Sequence, residues 1–190
     1  PLSTAEVAST FMEDFVFNRL LSEASPEDEL TLRVGQLDDV VATVIRQVNA
    51  YNFELELHAA YAESGYVSKE QIGTIFQKHM AAYMGPAVEQ SVGSANWWVG
   101  WPHFRSFFYV YSYASGLLIS RALQTKLKSD PTFIKAVKRF LSAGTSSSPK
   151  DIFADMDVDI ADPSFWETGM NSVEEQLGEA EALSKRIGKI

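Results

Sequence analysis

Ser25-Pro26, Asp130-Pro131 and Asp162-Pro163 each set a short polar residue directly before a proline. Such a side chain accepts from the exposed N–H groups of a first helical turn. Proline suits that turn because its missing N–H would find no partner there anyway. Each pair therefore opens a helix, and the stretches between them carry apolar residues at helical spacing. Val7, Phe11, Phe15 and Val16 form one such row, and Leu30, Val34, Leu37, Val41, Val44, Ile45, Val48, Phe53, Leu57 and Tyr61 form another. No β-type alternation of useful length and no internal repeat occurs. The pattern predicts an all-α chain without a substantial sheet, a single helical region over residues 1–190.

The local signals divide it further. Ser3 with Glu6 reads as a capping box for a first helix reaching about Ser22. Residues 26–65 read as a long helical region with a break near Gly35 or residues 49–52. Ser68 with Gln71 caps the next helix, which ends at Gly85-Pro86, and residues 85–96 read as a loop. A long apolar helix is expected over 105–128, then helices from Pro131 to Ala143, near 151–154, and from Pro163 toward Lys189.

Charge and composition limit the function. A net charge of −9 with no basic stripe argues against a phosphate backbone as partner, so no nucleic acid is expected. The lysines and arginine of 126–128 and 135–139 read as solvated helix faces. No run of eighteen apolar residues exists to span a membrane. With no cysteine there is neither disulfide framework nor thiolate metal site, which fits a reducing compartment, and a cytoplasmic location is expected. The start at Pro1-Leu2, without Met, suggests a processed or excised piece.

Residues 97–116 concentrate three tryptophans, His103 and the tyrosines 109, 111 and 113. Every buried phenol or indole N–H wants a partner, so the segment is costly as filler and reads as a ligand-facing wall. The plain alternative is an aromatic helix face packed in a core. Along a helix, steps of two turn about 200°, so Tyr109 and Tyr113 share a face while Tyr111 does not.

Several segments are similar in order to oligoendopeptidase F and its thimet-oligopeptidase relatives. They are residues 5–13 (Ala-Glu-Val-Ala-Ser-Thr-Phe-Met-Glu), Arg46-Gln47 with Phe53-Glu54-Leu55-Glu56-Leu57-His58, and Pro102-His103-Phe104 with residues 108–116. Phe140-Leu141-Ser142-Ala143-Gly144, Ser148-Pro149 and Asp162-Pro163 with Trp166 continue the match. The resemblance implies a zincin-type helical peptidase that hydrolyses peptide bonds in short peptides with zinc-activated water. Those enzymes carry a His-Glu-x-x-His helix for two zinc ligands and the general base. None of His58, His79 and His103 begins such a motif, so this chain resembles the C-terminal part of the enzyme, with that helix expected upstream.

By that resemblance Glu6 is the third zinc ligand, although read alone it is better explained as the capping partner of Ser3. His103 would face the metal and, with Tyr111 or Tyr109, donate to the oxyanion; read alone, it is a buried histidine bonded to a carbonyl. Arg105, Tyr113 and Trp101 would meet substrate, Arg105 through a carboxylate. One carboxylate cannot hold zinc, so the chain alone is expected to bind none stably and to be inactive until joined by its missing N-terminal portion. The competing reading is a non-catalytic helical module that binds peptides or forms homo-oligomers through an exposed apolar wall. His58 reads as a polar-face or inter-helix contact and His79 as solvent-exposed. Glu54, Glu56 and His58, two apart on a helix, diverge and do not form a metal cluster.

Overall fold

The computed structural model of the chain describes residue 4 and residues 6–190, and among them there is no strand. The α-helices are α1 (Val7–Leu21), α2 (Pro26–Val40), α3 (Arg46–Ser64), α4 (Lys69–Met84), α5 (Tyr111–Ser129), α6 (Ile134–Ala143), α7 (Pro149–Ala154) and α8 (Pro163–Arg186). The all-α expectation holds. The capping signals hold as well: Asp28 N donates to Ser25 Oγ, Thr132 N to Asp130 and Ser164 N to Asp162. At α4 the box is complete, Gln71 N donating to Ser68 Oγ and Ser68 N to Gln71 Oε1. The cap expected at Ser3 lies outside the described residues.

Two expectations about element limits need correction. The break in the long second region is at neither Gly35 nor 49–52; it is a π turn, Val41–Ile45. That turn is rich in β-branched residues (Val41, Thr43, Val44, Ile45), which crowd a regular helix and lower its propensity. The aromatic segment does not continue a helix from Arg105. Val92–Gly100 and Pro102–Arg105 are tighter 3-10 turns, Phe107 and Phe108 take left-handed φ values of 36° and 56°, and α5 begins only at Tyr111.

The chain divides into two compact units, one comprising the chain up to Val40 together with Ser115–Ile190, the other Val41–Ala114. The first is built around Val7 and Phe11 of α1, Ile119 and Leu123 of α5, and Phe133, Val137, Phe153 and Met156. Two glycines permit its closest approaches. A Cβ on Gly116 would come within 2.8 Å of Glu6 Cβ, and one on Gly169 within 2.6 Å of the Leu118 carbonyl oxygen. Polar groups tie α1 to α5: Arg121 Nη1 donates to Asp14 Oδ1 at 2.6 Å and Gln124 Nε2 to the Phe11 carbonyl at 2.7 Å.

The second unit packs α3 and α4 against the 3-10 turns. Its core is a chain of edge-to-face rings, Phe53 on Phe76 at 5.2 Å, Phe53 on Phe104 at 5.0 Å and Trp101 on Phe104 at 5.0 Å, with Met80 beneath. Gln77 Nε2 pins the start of the 3-10 segment through the Ser91 carbonyl and Ser94 Oγ.

Candidate active site

In the second unit the short turn Pro102–Arg105 carries His103 between Trp101 and Phe104, whose rings are anchored in the aromatic core. His103 Nε2 and the Tyr113 hydroxyl are 2.8 Å apart. Tyr109 packs on both, 5.2 Å from the imidazole and 5.6 Å from the Tyr113 ring. Tyr109 and Tyr113 thus meet although Tyr109 precedes α5, and Tyr111 is 40% exposed. His103 Nδ1 is buried and has no hydrogen-bond partner among the described residues.

The left-handed turn before α5 is fastened from α3. Phe108 N donates to Glu54 Oε1 at 3.0 Å, the His58 ring lies 5.2 Å from Phe108 and 6.0 Å from Phe107, and Tyr51 lies 5.3 Å from Phe108. Glu54 is 1% exposed, and its Oε2 has no partner. Burial pushes its carboxyl above the ordinary value, against the opposing pull of the Phe108 N–H and the His58 charge. Glu56 diverges from Glu54, as the helical step demands, and takes Lys78 Nζ at 2.6 Å and His79 Nε2 at 2.7 Å from α4. The Lys78 hydrogen bond holds its carboxyl below the usual range. His79 is therefore not solvent-exposed as expected: its side chain is 14% exposed and joins the two helices. Among the described residues His58 meets the Phe107–Phe108 turn and not another helix.

Beside His103 and Tyr113 a cavity of about 520 Å³ opens, bounded also by Arg46, Gln47, Tyr83 and Trp101. Its size suits a small ligand or one or two residues of a peptide. The Arg46 guanidinium lies over the Trp101 ring, 5.7 Å from its centre, and its Nε is buried without a partner. Gln47 is 6% exposed; its Nε2 reaches the Ala42 carbonyl at 3.4 Å and its Oε1 has no partner. Burial raises the pKa of the Tyr83 phenol, with the Arg46 charge working in the other direction. Arg105 is differently engaged, donating Nη2 to the Val99 carbonyl at 2.6 Å and Nη1 to the Trp101 carbonyl at 3.3 Å. It braces the segment that holds Trp101.

Glu6 belongs to the first unit. It occupies the N-cap position of α1 without a side-chain capping bond, and its Cβ rests against Gly116. Among the described residues no three His, Asp or Glu side chains are grouped to hold a metal ion. A tetrahedral zinc site needs three protein ligands at least, so the residues described do not make one by themselves.

Sequence reasoning assigned no role to Arg46, Gln47 or Glu54. The signal available was a charged and an amide side chain set between Val44-Ile45 and Val48 in an otherwise apolar row, where a core helix has no use for them.

Residues 1–172 match the profile of Peptidase family M3. The chain is 28% identical over 188 residues to the chromosomal oligoendopeptidase F of Lactococcus lactis subsp. cremoris, covering 98% of this chain and 31% of that protein. It is 29% identical over 187 residues to the oligopeptidase PepF of Bacillus subtilis, covering 96% and 28%. The crystal structure of oligoendopeptidase-F from Enterococcus faecium superposes with a TM-score of 0.78 at 28% identity, over 93% of this chain and 35% of that one. The chain thus spans about a third of the length of the relatives it matches.

Proposed function

Because the chain belongs to Peptidase family M3, we propose that it forms the C-terminal helical region of a zinc-dependent oligopeptidase that hydrolyses peptide bonds in short peptides. Glu6 is proposed as one zinc ligand, with the other ligands supplied from outside this chain. Alone the chain is then inactive. Two features support the Glu6 assignment: its carboxylate does not cap the helix Val7–Leu21, and it is seated against a glycine.

The observation that carries the reading is the buried, unpaired Nδ1 of His103. In the tautomer where the Tyr113 hydroxyl donates to Nε2, the ring proton sits on Nδ1. A donor held in place and lacking a partner suits an oxygen that gains negative charge during peptide cleavage. Tyr109, against the imidazole, and Tyr111, exposed at the start of α5, are the phenols proposed to assist it. Trp101 and Tyr113 line the cavity and would meet the peptide; Arg105 would reach it only by releasing the Val99 or Trp101 carbonyl. The absence of cysteine suits the cytoplasm as its place.

The test is hydrolysis of a quenched fluorescent peptide with added zinc, by this chain alone and after mixing with an N-terminal portion bearing the His-Glu-x-x-His helix. Activity in the mixture only, lost with Glu6→Gln, supports the reading. Silence in a folded mixture refutes it and favours a self-associating helical module. That second reading draws on exposed apolar side chains of the second unit, Val92 at 92%, Phe107 at 79% and Trp97 at 58%. A concentration series by sedimentation velocity would reveal such association.

A further inference from the structure

Two adjacent residues at the start of α3, Arg46 and Gln47, line one cavity, and each carries a buried side-chain atom without a partner among the described residues. Arg46 Nε is a donor without an acceptor, and Gln47 Oε1 an acceptor without a donor. The chain has 25 acidic side chains against 16 basic ones, yet among the described residues Arg46 forms an ion pair with none of them. Its guanidinium lies on the Trp101 face, which satisfies neither its N–H donors nor its charge geometrically. An arginine left in this condition is matched by a carboxylate, which its planar fork grips through two hydrogen bonds.

The Gln47 oxygen narrows the choice of carboxylate. The last residue of a peptide bears a backbone N–H and a free carboxylate on the same Cα, so one residue supplies an acceptor for Arg46 and a donor for Gln47. We infer that the cavity bounded by Arg46, Gln47, Tyr83 and Trp101 holds the C-terminal residue of a peptide, its carboxylate on the Arg46 guanidinium and its amide N–H on Gln47 Oε1. The inference rests on the peptide-hydrolysis reading for the nature of the ligand and adds which end of the peptide is recognised. His103 and Tyr113 border the same cavity. The anchored end therefore lies beside the proposed oxyanion donors, and cleavage falls near the C-terminus.

Binding to the unaltered 190-residue chain tests this without zinc or turnover, with Trp101 as an intrinsic fluorescence probe. Three probes are titrated: N-acetyl-tri-alanine as the free acid, the same peptide as its C-terminal amide, and an amide-capped peptide with aspartate at its last position. A charge-assisted bidentate contact predicts that the free acid binds about tenfold or more tightly than the amide. Arg46→Gln should reduce the acid to the level of the amide, Arg46→Lys should fall between, and Gln47→Leu should weaken acid and amide alike. Equal binding of acid and amide to the unaltered chain overturns the inference, and that comparison needs no variant to fold. Aspartate amide binding as tightly as the free acid also overturns it, assigning the cavity to an acidic side chain. Hydrolysis by the reconstituted mixture without acid selectivity refutes the inference and leaves the peptidase reading standing. Acid-selective binding with no hydrolysis does the reverse.

Discussion

Asp14→Ala should be among the most damaging single changes to the first unit. Asp14 and Arg121 have side chains only 5% and 6% exposed and form an ion pair at 2.6 Å. Burial already pulls the Arg121 pKa down, and the Asp14 charge is what offsets it. Removing the carboxylate leaves a guanidinium in the interior with Nε already unpaired, and leaves Asn18 Nδ2 without its side-chain acceptor. Breaking a buried pair from one side costs about 3–5 kcal/mol. For a chain of this size that is about 6–20 °C in Tm. The double variant Asp14→Leu/Arg121→Met removes both charges at similar volume and should recover most of the loss. Urea unfolding followed by circular dichroism reads both, provided the slope with denaturant stays constant. A loss below about 1 kcal/mol for Asp14→Ala, or a double variant worse than the single, would refute the argument that the interior charge is held by this partner. Because α1 also carries Glu6, the single variant should lose reconstituted activity at temperatures where the unaltered chain keeps it.

Three further outcomes are expected. Tyr113→Phe removes the hydroxyl at His103 Nε2 and should lower kcat of the reconstituted enzyme about tenfold with KM little changed; a pure KM effect would leave Tyr113 a substrate contact with no part in holding His103. On α8, Gly169→Ala should cost about 1–3 kcal/mol because the new methyl meets the Leu118 carbonyl. Gly178→Ala, in open space on the same helix, should stabilise by about 0.5–1 kcal/mol, and thermal melts of the two decide whether close approach governs the sign. Glu54 has a folded pKa above its unfolded value near 4.5, so its ionised form weakens the fold at neutral pH. That penalty fades as pH falls through the folded pKa toward 4.5, so the unaltered chain should gain stability relative to Glu54→Gln on acidification. Urea midpoints across that window showing the opposite trend would be incompatible with a carboxyl raised by burial.

What could be read from the sequence was local. The pairs Ser25-Pro26, Asp130-Pro131 and Asp162-Pro163 and the Ser68–Gln71 box act within one helical turn, and each forms as expected. The contact of Tyr109 with Tyr113 was expected from helical spacing and forms although α5 begins after Tyr109. The late start of α5 was hidden because it depends on Glu54, 54 residues earlier, accepting from Phe108. His79 was misjudged for the same kind of reason: its partner Glu56 lies on another helix. Arg46 and Gln47 were visible as polar interruptions, but only the fold shows that both line one cavity.

The turn at Phe107 and Phe108 has a consequence for how the chain survives among proteases. Phe107 is 79% exposed on a backbone that a non-glycine residue adopts at a cost of about 1–2 kcal/mol. An enzyme that cuts after aromatic residues should therefore attack here early, dividing the chain into 1–107 and 108–190. The nick would separate His103 from Tyr109 and Tyr113 along the backbone while leaving their side-chain contacts in place. Comparing nicked and intact chains would then measure how much the proposed site owes to an unbroken backbone and how much to the hydrogen bond across it.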